Sequence, residues 1–492
     1  MLSSIAIENF KGFGIQRQVI KLAPITLLFG ANSAGKSSFF HAVFYLRQVF
    51  ETSIAIPGEL NYFSPNIHLG GYRQIIHNHN DSDTIKFVLD FSFDENENNQ
   101  AIYIAPILGN RRDARTEYYF GCEKLSIELV IASISSQPGY VKNYSVFWDD
   151  NKLVEIECNR NLERGYWDLD VRFNYGNLEL AQIEIPEDTT SDWKTIYRYP
   201  GAIPRAEDPI LSMCCKRNER ALNSDEEEFA NKIDLLLLAS AQLAKNYLND
   251  VLYIGPVRSV PQDDLSPRIL PPTYRWSSGL AAWDLLQFLD QQEIDSLNAW
   301  LGCDFLNTGV EIVRVALLPI NIPINSSAPS IAYRIMFRPT NDDAVDPGPL
   351  LRIQDVGFGV SQLIPVLVAL LAARQSSVMV EQPEIHLHPR LQTEMGDLMI
   401  DACLNGQNKK QAIFETHSEH LILRILRRIR ETADNELPDL RFSIQTDDIA
   451  VNYFDRVNST TVVKHLRVNR EGEFIDTWPH GFFDERIGEL YG

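Results

Sequence analysis

The first fifty residues alternate apolar and polar positions and then change to a helical period. "SSIAIENFKGFG" and "RQVIKLAPITLLFG" have the alternation and the short apolar runs that are typical of strands. The second run leads directly into a glycine-rich turn, and "KSSFFHAVFYLRQVF" then places its apolar residues at helical spacing. The pattern therefore predicts a strand, loop and helix unit at the start of the chain.

From Thr84 to Ile185 the pattern consists of short alternating runs that polar turns separate. The runs are "TIKFVLDFSF", "KLSIELVIASI", "YSVFWDD", "KLVEIEC", "WDLDVRFNY" and "LELAQIEI". Alternation that leaves one apolar face is typical of antiparallel strands. We therefore predict a largely antiparallel β module in this region.

Helical spacing returns after this module. "NSDEEEFANKIDLLLLASAQLAKNYL" opens with Ser224 and Glu227 at the spacing of a capping box, and "LAAWDLLQFLDQQEIDSLNAWL" is a further helical stretch. Beyond the loop "RPTNDDAVDPGPL", the predicted strands "SVMVEQ" and "QAIFET" alternate with helices. This alternation predicts a mixed, mostly parallel sheet flanked by helices.

The whole pattern predicts an α/β fold with a β-rich and helical insertion. We divide it into an N-terminal lobe over residues 1–90, a β-rich antiparallel module over 91–215, a helical insert and connecting region over 216–335, and a C-terminal lobe over 345–492. The chain shows no internal repeat and no heptad run long enough for an extended coiled coil.

Composition narrows the class of protein. Of the 492 residues, 45% are hydrophobic and 23% charged, as in ordinary globular proteins, and the six cysteines lack C-x-x-C spacing. No secretory signal or membrane span is evident, so we expect a cytoplasmic protein. The net charge of −21 repels polyanions, which leaves "GNRRDAR" and "ILRILRRIR" as local basic candidates. We interpret the second as the exposed face of an amphipathic helix.

The glycine-rich turn is "GANSAGKS", which fits G-x-x-x-x-G-K-[ST] between a predicted strand and a predicted helix. Gly30 and Gly35 let the backbone curl so that N–H groups surround phosphate oxygens, Lys36 adds a positive charge, and the hydroxyl of Ser37 can bind Mg²⁺. The alternative is a simple turn that Ser37 and Ser38 cap. The candidate nucleotide-binding residues here are Gly30, Asn32, Ser33, Ala34, Gly35, Lys36, Ser37 and Ser38.

Three later stretches carry further candidate chemistry. "VMVEQPEIHLHP" ends a buried strand at Glu381, which can hold the water shell of Mg²⁺, but Gln382 follows where a second carboxylate would polarise water. "FETHSEHL" places His417 after a strand, where it can sense a phosphate or act as a helix cap. "DVGFGVSQ" places two glycines at the start of an apolar helix.

In this order the stretches resemble the ABC-type ATPase heads of the SMC, RecF and OLD-like group. "IENFKGFG" with "LAPITLLFGANSAGKSS" looks like the group's entry strands and phosphate loop, "GFGVSQLIPVL" like its signature helix, "VMVEQPEIHLHP" like its Walker B strand, and "ETHSEHLILR" like its switch histidine. "YIGPVR" and "WPHGFFDE" resemble stand-alone bacterial defence ATPases with an AAA label. The resemblance implies a P-loop NTPase fold of ABC type with ATP and Mg²⁺ as cofactors.

The resemblance also implies how such a site is completed. Two subunits would enclose two ATP molecules, each site combining the phosphate loop of one subunit with the signature of its partner. Implied nucleotide contacts are then Lys11 in the same subunit and Gly357, Gly359, Ser361 and Gln362 in the partner, while Gln74 would be a metal-site glutamine.

Three departures from the group matter. The signature has Gly357 where the group has serine, and Ser361 comes four residues later, so the hydroxyl contact is in doubt. The chain lacks a long coiled coil, which excludes a chromosome-tethering SMC. After His417 no D-x-D pairs with a suitable upstream acid, so we expect no Toprim nuclease.

Gln382 bears on the rate of catalysis, because an amide cannot accept a proton and the loss of a general base removes ~10²–10⁴ in rate. Glu384 and Glu415 are alternative carboxylates, so Gln382, Glu384, Glu415 and His417 are the candidate catalytic residues. We expect secure ATP binding and slow turnover. Positioning and charge neutralisation, which dominate phosphoryl transfer, would remain.

We therefore expect an ATPase switch that forms a homodimer or a larger homo-oligomer around ATP. It would control a separate effector, a nuclease in anti-phage or anti-plasmid defence, with DNA or a phage-encoded molecule as a possible trigger and no role for a membrane. The alternatives are a RecF-like repair ATPase that binds duplex DNA, and a non-catalytic scaffold that ATP stabilises.

Overall fold

The computed structural model describes most of the chain with side chains. The described residues are 1–57, 67–93, 102–104, 116–133, 139–161, 166–181, 183–186, 192–197, 201–205, 210–211, 223–261, 274–317, 332–340, 349–406 and 409–479. Arg111, Arg112 and Arg115 of the first basic candidate lie outside them, as does most of "WPHGFFDE".

The strands and helices are numbered in chain order. The strands are β1 Leu2–Glu8, β2 Gln18–Lys21, β3 Ile25–Gly30, β4 Ile85–Ser92, β5 Ile102–Ile104, β6 Thr116–Tyr118, β7 Lys124–Ala132, β8 Tyr140–Trp148, β9 Asn151–Asn161, β10 Tyr166–Phe173, β11 Asp192–Tyr197, β12 Val251–Ile254, β13 Val310–Leu317, β14 Ala332–Pro339, β15 Ser377–Glu381, β16 Gln411–Glu415, β17 Ile449–Val457 and β18 Thr460–Leu466. The helices are α1 Lys36–Thr52, α2 Tyr72–Ile75, α3 Tyr175–Leu178, α4 Ser224–Asn249, α5 Tyr274–Ser277, α6 Leu280–Leu286, α7 Gln291–Leu301, α8 Phe358–Leu371, α9 Pro389–Ile400 and α10 Glu419–Ala433.

Two sheets organise these elements. The first has eight antiparallel strands in the order β11, β10, β9, β8, β7, β4, β1, β2. The second has six strands in the order β12, β15, β16, β3, β17, β18, and every pair except β17 with β18 is parallel. The prediction of a mixed, mostly parallel sheet flanked by helices is confirmed.

The second sheet lies between two apolar cores. One face contributes Met379 and Ile413 to a core that α1, α4 and the first sheet complete. The other face contributes Leu27, Val380 and Phe414 to a core with helices α6 to α10. A parallel sheet buried on both faces needs nearly continuous apolar strands, and this is why β3 reads "ITLLFG" with every residue buried.

Several predicted elements have different bounds in the structure. The predicted strand "RQVIKLAPITLLFG" is two strands, β2 and β3, because Pro24 lacks an N–H donor and the chain changes sheet there. The predicted helix over 280–301 is two helices, because Asp290 and Glu293 form a new capping box that starts α7.

Two further predictions fail locally. The capping box of α4 is Asn223 with Glu226, one residue earlier than the predicted pair, and each side chain accepts from the other residue's backbone N–H. "LELAQIEI" was expected to be a strand, but its start completes α3 and a following 3₁₀ turn. The amide of Asn177 donates to Lys152 O on β9, so Leu178 is buried by a turn and not by a ladder.

The boundaries of the four predicted regions stay a prediction. The first sheet does, however, join β1, β2 and β4 to β7 through β11 without a break. A boundary at residue 90 would therefore pass through β4, which ends at Ser92.

The arginines of "ILRILRRIR" are mostly engaged in ion pairs on α10. Arg428 is buried, and it shares the buried carboxylate of Asp397 on α9 with Arg424, at distances of 2.7 and 2.5 Å. Glu394 and Glu431 pair with the same arginines. The expectation of a fully exposed basic face is thus wrong at Arg428, because the helix turns this residue towards α9.

No helix within the described residues is long and apolar enough to cross a membrane.

The ion pairs of Asp397 with Arg424 and Arg428 make a prediction for stability. Asp397→Asn is expected to lower the free energy of unfolding by about 3 kcal/mol or more, because two arginines would lose the buried carboxylate they share. Thermal unfolding followed by circular dichroism measures the change. Asp476→Asn, which removes a carboxylate from an exposed pair with Arg467, is the matched control and should change little. Equal losses in both variants would contradict the assignment.

Candidate functional site

Parallel pairing brings the candidate strands to one edge of the second sheet. In register, Glu381 at the end of β15 pairs with Glu415 at the end of β16, and Glu415 pairs with Leu28 on β3. The N–H of Gln382 then donates to Glu415 O at 2.7 Å. Residues that lie far apart in sequence therefore meet beside the glycine-rich loop that follows β3.

The glycine-rich loop needs its two glycines for steric reasons. Gly30 and Gly35 have φ values of 136° and 116°, which side chains rarely adopt. A Cβ at Gly30 would lie 2.1 Å from Phe454 O, and one at Gly35 would lie 2.3 Å from Thr461 Oγ1. The N-cap residue of α1 is Gly35, which has no side chain to cap the first turn. The open N–H groups at this helix start suit phosphate oxygens.

Lys36 is buried and faces the loop from inside. Its Nζ donates to Gly30 O at 2.8 Å and to Ala31 O at 3.0 Å, and it lies 3.7 Å from Glu415 Oε1. Burial lowers the pKa of Lys36, while Glu415 opposes this shift. The ammonium group is therefore held at the loop, next to the ends of β15 and β16.

Glu381 is held by a tyrosine from the neighbouring strand. Tyr253 on β12 donates its hydroxyl to Glu381 Oε1 at 2.7 Å, while its ring packs against Phe44 of α1. Burial raises the pKa of Glu381, and the hydrogen bond from Tyr253 opposes the shift. The arrangement leaves Glu381 Oε2 as the oxygen that can serve a metal's water shell.

Glu384 binds to the loop that follows β16. Its two carboxylate oxygens accept from Thr416 Oγ1 and from the backbone N–H of His417, both at 2.8 Å. Burial raises its pKa, and these hydrogen bonds oppose the shift. Because both oxygens have protein donors, the contacts favour a positioning role for Glu384.

Glu415 and His417 present atoms that no protein group satisfies. Glu415 Oε2 and His417 Nε2 are both buried, and neither has a hydrogen-bond partner among the described residues. Burial, followed by the nearby charge of Glu381, raises the pKa of Glu415 to about 7, whereas burial lowers that of His417. Buried polar atoms normally have partners, so these two atoms are available to accept or donate hydrogen bonds to a ligand at the loop.

Gln382 has a strained backbone conformation, and its carbonyl takes part in a hydrogen bond with Arg258. Its φ is 46°, a conformation that is uncommon outside glycine. Its carbonyl, with that of Glu381, accepts from Arg258 Nη2 at 3.1 and 2.8 Å. Within the described part of the chain, its amide side chain makes no hydrogen bond to Lys36 or Glu415.

The start of α8 divides the predicted signature residues into two groups. Gly357 is exposed, and Gly359 packs so close to the next loop that a Cβ would lie 2.8 Å from His386 O. Ser361 and Gln362 are buried instead. Ser361 Oγ donates to Phe358 O, and the amide of Gln362 exchanges hydrogen bonds with the backbone of Arg258. Both side chains are thus engaged within the chain. The predicted contact of Ser361 and Gln362 with a partner's nucleotide stays a prediction, which their backbone would have to fulfil.

Lys11 and Gln74 lie in different surroundings. Lys11 Nζ is 2.8 Å from His41 Nδ1 on α1, four residues after Ser37, and burial lowers the pKa of Lys11 to about 8. Gln74 is exposed and its Oε1 accepts from the N–H of Gly71, which caps α2. The second contact gives a local structural reason for Gln74, and its metal role stays a prediction.

Sequence reasoning did not assign roles to three residues at this site. Tyr253 and Arg258 belong to "YIGPVR", and Thr461 lies in β18, next to the glycine-rich loop. Arg258 is buried, and its guanidinium donates to Gln362 O on α8 and to Glu381 O at the end of β15. The resemblance carried by this stretch was the one available signal for Tyr253 and Arg258, whereas nothing around Thr461 was distinctive.

The arrangement fits a nucleotide with Mg²⁺. The loop presents N–H groups and a lysine, as phosphates require, and the buried atoms of Glu415 and His417 lack protein partners. Within the described residues no group of three His, Cys, Asp or Glu side chains is placed to hold a metal alone. Ser37, at the exposed start of α1, and Glu381 would hold Mg²⁺.

The contact between Glu384 and Thr416 is tested by a double-mutant cycle. Glu384→Gln and Thr416→Val should each lower the free energy of unfolding by about 1–3 kcal/mol, because each leaves a buried partner unsatisfied. The double variant should lose less than both together, with a coupling of about 1 kcal/mol. Chemical unfolding of the four proteins measures this. Strictly additive losses would contradict the bond.

Comparison with known proteins identifies the family. A model described as "AAA ATPase domain" matches residues 1–254 and 319–422. A second model, a protein of unknown function (DUF3696), matches residues 444–491. No curated protein matches the chain.

Solved structures similar to the chain are heads of SMC proteins. They include the SmcHead bound to the C-winged helix domain of ScpA (10% identity, 95% of this chain and 98% of that chain covered, TM-score 0.42) and the SMC head domain from Thermotoga maritima (10%, 95% and 99%, 0.38). A third is the Smc head domain with an extended coiled coil bound to the C-terminal domain of ScpA derived from Pyrococcus furiosus (10%, 99% and 98%, 0.39).

The family assignment rests on the ATPase model, which matches well over half of the chain and includes the glycine-rich loop, β15 and β16. The expected fold class, an α/β fold with a mixed, mostly parallel sheet flanked by helices, is confirmed. This chain belongs to the AAA ATPase domain family.

Proposed function

We propose that this chain is an ATP-dependent switch that hydrolyses ATP slowly and passes its nucleotide state to a partner protein. The observation that carries the proposal is the buried carboxylate of Glu415, which has an unsatisfied oxygen beside Lys36 at the glycine-rich loop. Among the described residues, no donor forms a hydrogen bond with Oε2 of this buried carboxylate. A carboxylate oxygen of this kind is suited to accept a proton from the water that attacks the terminal phosphate.

Lys36 binds the terminal phosphates in this proposal. In the structure its Nζ contacts Gly30 O, Ala31 O and Glu415. Phosphate oxygens carry more negative charge than carbonyl oxygens, so the ammonium group exchanges these contacts for the phosphates when ATP binds. Glu415 then loses a stabilising charge and becomes free to accept a proton.

Ser37 and Glu381 would hold Mg²⁺, which neutralises phosphate charge when bound. Tyr253 keeps the carboxylate of Glu381 oriented through its hydrogen bond to Oε1. His417, whose Nε2 is unsatisfied, contacts the terminal phosphate or its water.

The structure supports Glu415 over the other two candidates as the general base. Gln382 carries an amide, and Glu384 accepts hydrogen bonds at both oxygens from Thr416 and His417. Only Glu415, among these three, has a carboxylate oxygen without a protein partner. Turnover is slow because Gln382 supplies no second base, and Glu415 must first leave Lys36.

The exposed start of α8 is the surface on which a second copy completes the site. Gly357 is exposed, and Phe358 has 58% of its surface exposed. Backbone N–H groups at this helix start can bind the phosphates held by the partner's loop. This contact uses the backbone and not Ser361 or Gln362. A nuclease effector and a role in phage or plasmid defence belong to the same proposal and rest on resemblance.

The RecF-like alternative finds less support in the described residues. Duplex DNA needs cations that are free to contact phosphates. On α10, Arg424, Arg427 and Arg428 are instead engaged by Glu394, Asp397 and Glu431. The scaffold alternative predicts no hydrolysis at all.

Glu415→Gln is the first test of the proposal. It should lower kcat for ATP hydrolysis by ~10²–10⁴, because the proton acceptor is removed. The Kd for ATP should not rise, because Lys36 also loses the carboxylate that competes with the phosphates. Gln382→Ala is the control and should cost about tenfold or less. A Gln382→Ala variant that loses more activity than Glu415→Gln would contradict the assignment. A wild type without hydrolysis would favour the scaffold.

The pH dependence of hydrolysis follows from the raised pKa of Glu415, which burial and Glu381 bring to about 7. A general base acts in its ionised form, so kcat/KM should rise as the pH increases through about 7 and reach a plateau above about 8. The rise should disappear in Glu415→Gln. Initial rates between about pH 6 and 9 measure it, and an unchanged profile in the variant would contradict the role.

Assembly around ATP is tested separately from hydrolysis. Glu415→Gln with ATP and Mg²⁺ should form a dimer or larger species by light scattering, and Gly357→Asp should prevent it. Nothing lies within 4 Å of a Cβ at Gly357, so the aspartate fits the fold while its charge repels the partner's phosphates. Assembly that is unaffected by Gly357→Asp would contradict the proposed surface. Assembly that requires duplex DNA and weakens steeply with salt would favour the RecF-like alternative.

A further inference from the structure

The hairpin of β17 and β18 lies directly against the glycine-rich loop, although more than 400 residues separate them in the chain. β17 pairs in parallel with β3 up to the pair Phe454 and Gly30. The N–H of Thr461 on β18 donates to Gly12 O at 2.7 Å, in the loop after β1. The hairpin thus contacts both the glycine-rich loop and the loop that contains Gly12.

Thr461 contacts the loop through its side-chain hydroxyl. It is 2% exposed, and its hydroxyl donates to Ala34 O at 2.9 Å. A Cβ added to Gly35 would lie 2.3 Å from Thr461 Oγ1, and one added to Gly12 would lie 2.6 Å from it. The hydroxyl therefore occupies the space that side chains at both glycines would need.

The hydrogen bond to Ala34 O has a consequence for the next amide. The peptide bond between Ala34 and Gly35 is planar and trans, so its C=O and N–H point in opposite directions. Fixing the carbonyl towards Thr461 therefore fixes the N–H of Gly35 away from the hairpin. The peptide could otherwise rotate easily, because Gly35 has φ of 116° and no side chain.

We propose that Thr461 is a positioning residue of the nucleotide site, which orients the amide of Gly35 towards the phosphates through its hydrogen bond to Ala34 O. The inference rests on the nucleotide-binding role of the loop proposed above. It also gives a function to the C-terminal segment that the DUF3696 model matches, because residues 444–491 include this hairpin.

Phe454 and Asn452 stabilise the hairpin in this place. Phe454 is fully buried and packs against Phe39 of α1 and Phe13. Asn452 is also fully buried, and its side chain accepts from the N–H of Lys21 and donates to its carbonyl at 3.2 and 2.8 Å. Since these contacts anchor the hairpin independently of Thr461, removing one hydroxyl should leave the hairpin in place.

Thr461→Val removes the hydroxyl and keeps the branched shape. The Kd for a non-hydrolysable ATP analogue with Mg²⁺, measured by isothermal titration calorimetry, should rise about tenfold, as expected for the loss of one oriented hydrogen-bond donor. Thr461→Ser, which keeps the hydroxyl, should stay within about threefold of wild type. In steady state the KM for ATP should rise with kcat nearly unchanged. Thr461→Ala serves as a second hydroxyl-free variant.

Thr26→Val is the matched control. Thr26 is fully buried at the opposite end of β3, and its hydroxyl donates to Ala23 O at 3.2 Å, so the same substitution removes a comparable bond far from the loop. It should leave the Kd unchanged. An equal rise of the Kd in Thr26→Val, or wild-type affinity in both Thr461→Val and Thr461→Ala, overturns the inference alone. If the wild type does not bind the analogue, and Lys36→Ala gives the same titration as the wild type, the proposed function is overturned as well.

Discussion

Lys36 and Glu415 are opposite charges that meet 3.7 Å apart in the protein interior. Burying either charge alone is costly, and the pair is stable only where further polar groups surround it. Here the carbonyls of Gly30 and Ala31 complete the shell of the lysine, while one oxygen of Glu415 is left without a partner. The rest of the site is arranged around this incomplete pairing. A phosphate ligand can complete it, because the phosphate brings further negative charge to Lys36.

The surrounding contacts restrict how each loop at the sheet edge can move. Glu384 ties the loop after β15 to the loop after β16, Arg258 ties the end of β15 to α8, and Thr461 ties the glycine-rich loop to the C-terminal hairpin. Each contact is a hydrogen bond between a buried side chain and either a backbone atom or a second, short side chain.

Much of this site was predictable, because the conformation of its motifs depends on residues that are adjacent in the sequence. The loop "GANSAGKS" needs glycines where φ is positive, and apolar strands predict a buried parallel sheet. The choice among Gln382, Glu384 and Glu415 was not predictable, since it depends on which oxygens are already occupied. The same limit applies to Ser361 and Gln362, whose direction depends on how α8 rotates against β12 and the segment after it.

By itself the sequence determined the fold class, the family of chemistry and the short list of acids, because strand and helix periods and the phosphate-loop spacing are local properties of the chain. Only the tertiary structure decided that Glu415 has the unsatisfied oxygen, that Arg428 is buried, and that Thr461 contacts the loop. These facts depend on contacts between residues far apart in the chain. Hydrogen bonds, burial and the resulting pKa of a carboxylate are set by neighbours in space, which no local pattern records.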